Sequence, residues 1–180
     1  MRIFKLSESK IHKWSGGTTR ELLIYPDGSS FSDRDFELRI SIATVEEEET
    51  TFTPLENIQR TLLVLEGTQK FQHEGAHAAS LKKFDQDSFS GDWTTHCRGT
   101  SINFNVMTKT KTRAEVVVKC FDENDIFHKE KPNGACVIFF WKGSAKVGDQ
   151  QIDSKEAIVL DRPLEISFQQ SSEIVIVNYP

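Results

Sequence analysis

The apolar positions of this chain occur in short runs, rich in β-branched and aromatic residues and separated by turn-forming residues. In segment 39–45 polar and apolar residues alternate, which predicts a strand with one buried face. Segment 61–65 is an almost continuous apolar run, as expected for a strand covered on both faces. The same reasoning predicts six further strands, at 101–107, 114–120, 136–141, 157–160, 164–168 and 174–177. A short helix is predicted only within 122–129, so the pattern indicates an all-β protein.

An internal repeat divides the chain into two similar parts. Segment 61–71 resembles segment 137–147, since both read as an apolar strand, a charged residue, glycine, a small hydroxyl residue, any residue, lysine and an apolar residue. Gly67 thereby matches Gly143 at an offset of 76 residues, and both are expected at a bend that needs a positive φ. At the same offset three further pairs agree: Leu81 with Ala157, Phe84 with Leu160 and Asp85 with Asp161. We therefore predict two small antiparallel β-barrel halves, 1–110 and 111–180, packed together as one unit.

Composition narrows the class of partner and the compartment. The 27 acidic residues outnumber the 22 basic ones, and no dense basic cluster is present, so nucleic acid is not expected as a partner. Three widely spaced cysteines are an odd number and imply no disulfide pairing. No window approaches the roughly 18 apolar residues of a membrane helix, and no signal peptide is apparent. A cytoplasmic protein without membrane association is predicted.

The histidines give little support for a metal site. Only His73 and His77 are close in sequence, and Gly75 between them indicates the tip of a hairpin. On one strand a spacing of four would separate them by about 13 Å, so they are interpreted as a solvated turn. No histidine follows His128, and no metal or other cofactor is predicted.

Nucleophilic catalysis has no recognisable motif in this chain. There is no Gly-x-Ser-x-Gly elbow and no phosphate-binding glycine loop. Cys97 follows His96 directly, and neighbouring residues of a strand point to opposite faces, so the two are not expected to pair. No catalytic residues are predicted.

Two polar constellations suit the binding of a small ligand. The first is segment 14–21, where a glycine pair allows close backbone approach and threonine, arginine and glutamate follow; a structural turn before an edge strand remains the alternative. The second combines segment 89–93 with amides that share one face of a strand, beside arginines that need a partner if buried. The predicted ligand-binding residues are Trp14, Gly16, Gly17, Thr19, Arg20, Glu21, Arg39, Ser41, Arg60, Trp93, Asn103 and Asn105.

These motifs resemble the HutD/Ves family. The matching positions are Trp14, Gly16, Gly17, Thr19, Arg20, Glu21, Arg39, Ser41, Ala43, Phe52, Arg60, Leu65 and Gly67, with the blocks Phe-Ser-Gly-Asp-Trp at 89–93 and Phe-Asn-Val-Met at 104–107. Three departures are a shorter turn after Trp14, the wider spacing before Arg60, and Asn103 where the family commonly has aspartate. The resemblance implies a bicupin with jelly-roll (double-stranded β-helix) barrels, lacking the usual cupin metal ligands. It also implies a small-molecule binder associated with histidine utilisation, with urocanate or a formylated amino acid as ligand.

Three functional hypotheses follow. The leading one is a metal-independent, regulatory or accessory binding protein that holds a small carboxylate through Arg20, Arg39 or Arg60. A second is a metal-free isomerase or hydrolase that uses Glu21 or Glu66 as general base. A third is a non-catalytic interaction module that forms a homodimer through one sheet.

Overall fold

The regular secondary structure of the protein consists almost entirely of β-strands. A computed structural model describes residues 1–130 and 133–180, and none of these is α-helical. In that part of the chain there is no helix that could cross a membrane. In chain order the strands are β1 (Arg2–Lys5), β2 (Ile11–Trp14), β3 (Gly17–Tyr25), β4 (Leu38–Val45), β5 (Glu49–Phe52), β6 (Ile58–Gly67), β7 (Gln69–His73), β8 (Ala78–Leu81), β9 (Gln86–Ser90), β10 (Thr95–Arg98), β11 (Ser101–Lys109), β12 (Glu115–Phe121), β13 (Ile126–Lys129), β14 (Ala135–Lys142), β15 (Ala145–Val147), β16 (Gln150–Ile152), β17 (Glu156–Leu160), β18 (Leu164–Phe168) and β19 (Ser172–Tyr179).

The predicted all-β class is confirmed, and seven of the eight predicted strands lie within an observed one, while the eighth, at 114–120, begins one residue before β12. The helix predicted at 122–129 is wrong. A turn occupies its first half, where Asn124 has a φ of 71° and the Asp125 carboxylate accepts the Asp122 N–H at 2.9 Å. Such turn chemistry competes with a helix. β13 follows, with Phe127 packed inward while Ile126 and His128 are exposed, which is the two-residue period of a strand.

The N-terminal unit, residues 9–113, consists of two antiparallel sheets. A six-stranded sheet has the order β2-β3-β4-β11-β6-β9, and a four-stranded sheet has the order β5-β10-β7-β8. Inward side chains of both sheets form one buried apolar cluster, which contains Phe52, Leu62, Val64, Phe71, Leu81, Phe89 and Cys97. The central strand β11 is buried on both faces over most of its length, so polar side chains on it need internal partners or a cavity.

The C-terminal unit comprises residues 1–8 together with 114–180. Its sheets have the orders β1-β17-β14-β19-β12 and β13-β18-β15-β16, again antiparallel. The chain begins in this unit because β1 pairs with β17, placing Arg2 opposite Val159, and because the N-terminal ammonium bonds Asp161 at 2.8 Å. Residues 1–8 thus belong with the second unit, and the boundary lies between residues 113 and 114 rather than at 110.

Each unit contains a glycine turn followed by a hairpin, although the offset in residue number between equivalent positions is not constant. Gly67 and Gly143 both have positive φ, 83° and 85°, and each opens the turn into a hairpin. Leu81 pairs with the first residue of β7, and Ile152 pairs with the first residue of β15. Leu81 therefore corresponds to Ile152, at an offset of 71 residues, and its predicted match with Ala157 is wrong. The β7–β8 hairpin is five residues longer than β15–β16.

Candidate functional site

A cavity of about 630 Å³ lies in the N-terminal unit, against one face of the six-stranded sheet. Alternate residues of a strand point to the same side, so β3, β4, β6 and β11 each supply the cavity with every second side chain. Its polar lining residues on these strands are Thr19 and Glu21 from β3, Arg39 and Ser41 from β4, Arg60 from β6, and Asn103 and Asn105 from β11. The face-sharing predicted for Arg39 with Ser41 and for Asn103 with Asn105 is present.

Arg39 is a buried cation with a carboxylate partner. Its side chain is 5% exposed, and Nε donates to Oε2 of Glu21 at 2.7 Å. The ring of Phe31 lies 4.2 Å from the guanidinium carbon, which is cation–π distance. The charge of Arg39 is thus compensated within the protein.

Arg60 is held differently. Its guanidinium carbon lies 4.9 Å from the ring of Phe52 and 5.1 Å from that of Phe89. It forms no ion pair with any residue that the structure describes. Burial, and then the charge of Arg39, lower the pKa of Arg60 to about 10, which leaves it cationic at neutral pH. Arg60 is a half-buried cation supported by aromatic faces rather than by a carboxylate.

The charge of the cavity wall is opposite in sign to that of the chain. The wall carries four cationic side chains, Lys13, Arg34, Arg39 and Arg60, and a single carboxylate, that of Glu21. The whole chain has a formal net charge of −5. A concave surface lined by one sign of charge concentrates ions of the other sign, so this cavity suits an anion.

The two asparagines of β11 differ in availability. Asn103 Nδ2 donates to Oε1 of Gln69 at 3.0 Å, and Asn103 Oδ1 accepts from the hydroxyl of Ser101 at 2.9 Å. Asn105 is 6% exposed and has no side-chain hydrogen bond within the described residues. Asn105 is therefore the amide that can bond a ligand, while Asn103 stabilises the wall.

The glycine pair is structural, although it was predicted to contact ligand. A Cβ on Gly16 would lie 2.2 Å from a ring carbon of Trp14, so the missing side chain makes room for the indole that lines the cavity. A Cβ on Gly17 would lie 2.0 Å from the carbonyl oxygen of Thr44 on β4. Neither glycine lines the cavity itself.

Arg20 and Trp93 were also predicted to bind ligand, and the structure places both outside the cavity. Arg20 points to the opposite side of β3 from its neighbours, and its Nη1 donates to the carbonyl of Ser9 at 3.1 Å. Trp93 lies against two imidazoles, with its ring centroid 5.8 Å from those of His73 and His77.

A loop between β3 and β4 was missed as part of the site. Its serines are typical of a linker. The signal that could have indicated a binding role was the presence of Phe31 and Arg34 among them. The loop is tied internally, since Ser30 Oγ donates to Asp33 at 2.7 Å and the Ser30 N–H donates to Asp35 at 2.8 Å. The cavity-lining residues that were not predicted from sequence, those of this loop included, are His12, Lys13, Ser15, Ser29, Ser30, Phe31, Ser32, Arg34, Ala43, Val45, Thr51, Phe52, Thr53, Leu55, Leu62 and Met107.

Cys97 and His96 do not form an activated nucleophile. Burial raises the pKa of Cys97 to about 12, so its thiol stays protonated at neutral pH. His96 points the other way, as predicted, with Nε2 2.7 Å from Glu74 Oε1. Glu66, one of the two suggested general bases, is exposed and outside the cavity wall.

The cavity wall is also poorly suited to a metal ion. It offers one imidazole, His12, and one carboxylate, Glu21, which already accepts from Arg39. In residues 1–130 and 133–180 the one group of three potential metal ligands lies elsewhere, at His73, His77 and Asp87. The interpretation of the histidine pair as a solvated turn is wrong for His73, which is fully buried.

Comparisons with solved structures identify the fold. A conserved protein of unknown function, PA5104 from Pseudomonas aeruginosa PAO1, has a TM-score of 0.83 at 21% identity, over 99% of this chain and 97% of that one. HutD from Pseudomonas fluorescens SBW25 has a TM-score of 0.74 at 19% identity, over 99% and 98%. YhhW from Escherichia coli has a TM-score of 0.78 at 11% identity, over 99% and 97%. At such identities the likeness shows the fold alone, which is cupin-like, since a Cupin 2 conserved barrel domain protein from Leptotrichia buccalis also matches with a TM-score of 0.62 at 11% identity, over 99% and 96%.

The sequence comparison identifies a family in addition to the fold. No curated protein sequence matches this chain significantly. The HutD family model, in contrast, matches residues 7–176, nearly the whole chain. This protein therefore belongs to the HutD family.

Proposed function

We propose that this protein binds a small organic anion, a carboxylate of metabolite size, in the cavity of its N-terminal unit, and that it acts as a binding protein. The observation that carries the proposal is Arg60, a half-buried cation of the cavity wall without a carboxylate partner in the described residues. Burying a charge is costly unless it is paired. An anion in the cavity would therefore form an ion pair with the guanidinium of Arg60.

The rest of the cavity supplies shape and orientation. Asn105 offers a free amide, and the rings of Trp14, Phe31 and Phe52 provide flat apolar walls. A volume of about 630 Å³ suits a molecule of metabolite size. These features favour a planar, partly apolar carboxylate over a bare inorganic ion.

Family membership suggests which carboxylate to test first. The HutD/Ves resemblance favours urocanate, a planar carboxylate, or a formylated amino acid, and a regulatory or accessory role in histidine utilisation. The HutD structure from Pseudomonas fluorescens is described as a formate condition, which makes formate a useful minimal probe.

Calorimetric titration tests the proposal directly. Urocanate, N-formylglutamate and formate are titrated into the protein, with the uncharged amide of urocanate as matched control. We expect one binding site for at least one of these acids and at least tenfold weaker binding of the amide, because charge-assisted hydrogen bonds contribute about 1.5–3 kcal/mol. Failure of all three acids to bind would contradict the proposal.

A pair of arginine variants locates the site. Arg60→Gln should weaken binding about 10- to 100-fold, because it removes the unpaired cation of the cavity. Arg20→Gln is the matched control, since Arg20 lies on the other side of β3 and outside the cavity. Thermal unfolding verifies that both variants are folded. Equal effects of the two variants would place the ligand elsewhere.

A further inference from the structure

The longer hairpin of the N-terminal unit carries a group of three metal-type ligands. His73 ends β7, and His77 closes the turn, with the His73 N–H donating to the His77 carbonyl at 2.9 Å. The turn brings the two imidazole centroids within 4.6 Å, although the residues are four apart in sequence. Asp87 of β9 lies beside both rings.

We propose that His73, His77 and Asp87 bind a divalent first-row transition metal ion, with Zn²⁺ as the probe. His73 Nε2 is 2.8 Å from Asp87 Oδ2, and His77 Nε2 is 3.0 Å from Asp87 Oδ1. One ligand atom from each residue lies within 4.8 Å of the others. Ligands bound to one ion at about 2.0–2.1 Å lie about 2.9–3.4 Å apart, so only a small adjustment is needed.

The surroundings of His73 hold it in one orientation. Its Nδ1 lies 2.7 Å from the hydroxyl of Thr95, and both side chains are fully buried. The Thr95 hydroxyl can accept a hydrogen bond from a protonated Nδ1, and in that tautomer Nε2 has its lone pair free for an ion that Asp87 also binds. The ring of Phe89 packs 4.4 Å from the imidazole. His73 is thus a positioned ligand.

The group is open on its other side. The side chain of His77 is 42% exposed and that of Asp87 is 12% exposed, so an ion can enter and water can complete its coordination. Two imidazoles and a carboxylate with an open position suit Zn²⁺ or a neighbouring transition metal, whereas Ca²⁺ and Mg²⁺ prefer oxygen ligands.

The metal site is independent of the proposed anion cavity. None of its three ligands lines the cavity wall. The described part of the C-terminal unit has no counterpart, because its β15–β16 hairpin is five residues shorter and offers no histidine. Trp93, whose ring centroid is 5.8 Å from each imidazole, supplies a built-in optical reporter.

Titration of the chelator-treated full chain with Zn²⁺ tests the proposal. We expect one high-affinity ion per chain, and Co²⁺ or Ni²⁺ should quench the fluorescence of Trp93. His77→Ala should weaken binding at least tenfold, and Asp87→Asn should do the same while retaining the size of the side chain. The Trp93→Phe variant should bind the ion but lose the quenching.

His96→Ala is the matched control, because His96 is an exposed imidazole 2.7 Å from a carboxylate, that of Glu74. It should leave Zn²⁺ affinity unchanged. Thr95→Val tests the orientation of His73 and should weaken binding about tenfold. Absence of binding, or equal loss in the His96→Ala and His77→Ala variants, would overturn the proposal whatever the outcome of the anion titrations.

Discussion

Replacing Glu21 with glutamine is expected to destabilise the protein by about 3 kcal/mol and to increase the affinity of its cavity for anions. Glu21 is the single carboxylate that compensates Arg39, whose side chain is 5% exposed. Removing one partner of such a pair leaves a buried charge without compensation. An added carboxylate can then take the vacated role, so anions should stabilise this variant more than the unmodified protein.

Urea unfolding with and without formate measures both effects of the Glu21 substitution. Glu66→Gln is the control, because Glu66 is exposed and should change stability by less than about 0.5 kcal/mol. The double variant Glu21→Gln/Arg39→Met should recover much of the lost stability, since an apolar side chain of similar size needs no counter-charge. If Glu21→Gln alone costs no more than Glu66→Gln, the ion pair is not important for stability.

Alanine at Gly67 is expected to cost about 3 kcal/mol, far more than alanine at Gly75. Both glycines have positive φ, 83° and 72°, so both substitutions carry the conformational penalty of about 1 kcal/mol. Only at Gly67 would the new Cβ meet backbone, 2.4 Å from the carbonyl oxygen of Thr100, whereas nothing lies within 4 Å at Gly75. The difference measures backbone crowding alone, and urea unfolding reports it.

The C-terminal unit provides an independent repeat of this experiment. Gly143 has a φ of 85°, and its Cβ would lie 2.6 Å from the carbonyl oxygen of Ser171, while Gly148 has a φ of 60° and open space. Gly143→Ala should therefore be costly and Gly148→Ala mild. If Gly67→Ala cost no more stability than Gly75→Ala, and Gly143→Ala no more than Gly148→Ala, the turns would relax around the new Cβ. Backbone crowding would then not explain why glycine occupies these positions.

Local pattern predicted eight of the nineteen strands observed in the part of the chain that the structure describes, because a strand needs only an alternating or apolar run between turn residues. Strands β4, β6 and β11 could be predicted in this way, and so could the sharing of one face by Arg39 and Ser41. Most of the strands without a prediction are short, as in β15 and β16, where three residues carry too little pattern. The helix prediction at 122–129 failed because turn chemistry at Asn124 and Asp125 outweighs a brief helical period.

The predicted ligand-binding residues all lie in the half of the chain that contains the cavity, yet the sequence could not say which of their polar groups are free. Asn103 and Asn105 share a strand face and look equivalent in sequence. Gln69, which is 34 residues away from Asn103 in sequence, accepts a hydrogen bond from the side-chain amide of Asn103 and not from that of Asn105. Arg20 and Arg60 likewise looked interchangeable, and the pleat of β3 turns Arg20 toward the carbonyl of Ser9.

By itself, the sequence determined the all-β class, the duplicated glycine turns and the family, because each depends on local pattern or on a motif within one segment. Tertiary structure alone decided the charge balance of the cavity and the grouping of His73, His77 and Asp87. Strand pairing, hairpin length and loop placement bring distant residues together, and neither spacing nor composition encodes those distances. A histidine pair that seemed too far apart on one strand is brought together by the turn of a hairpin that is five residues longer than its counterpart.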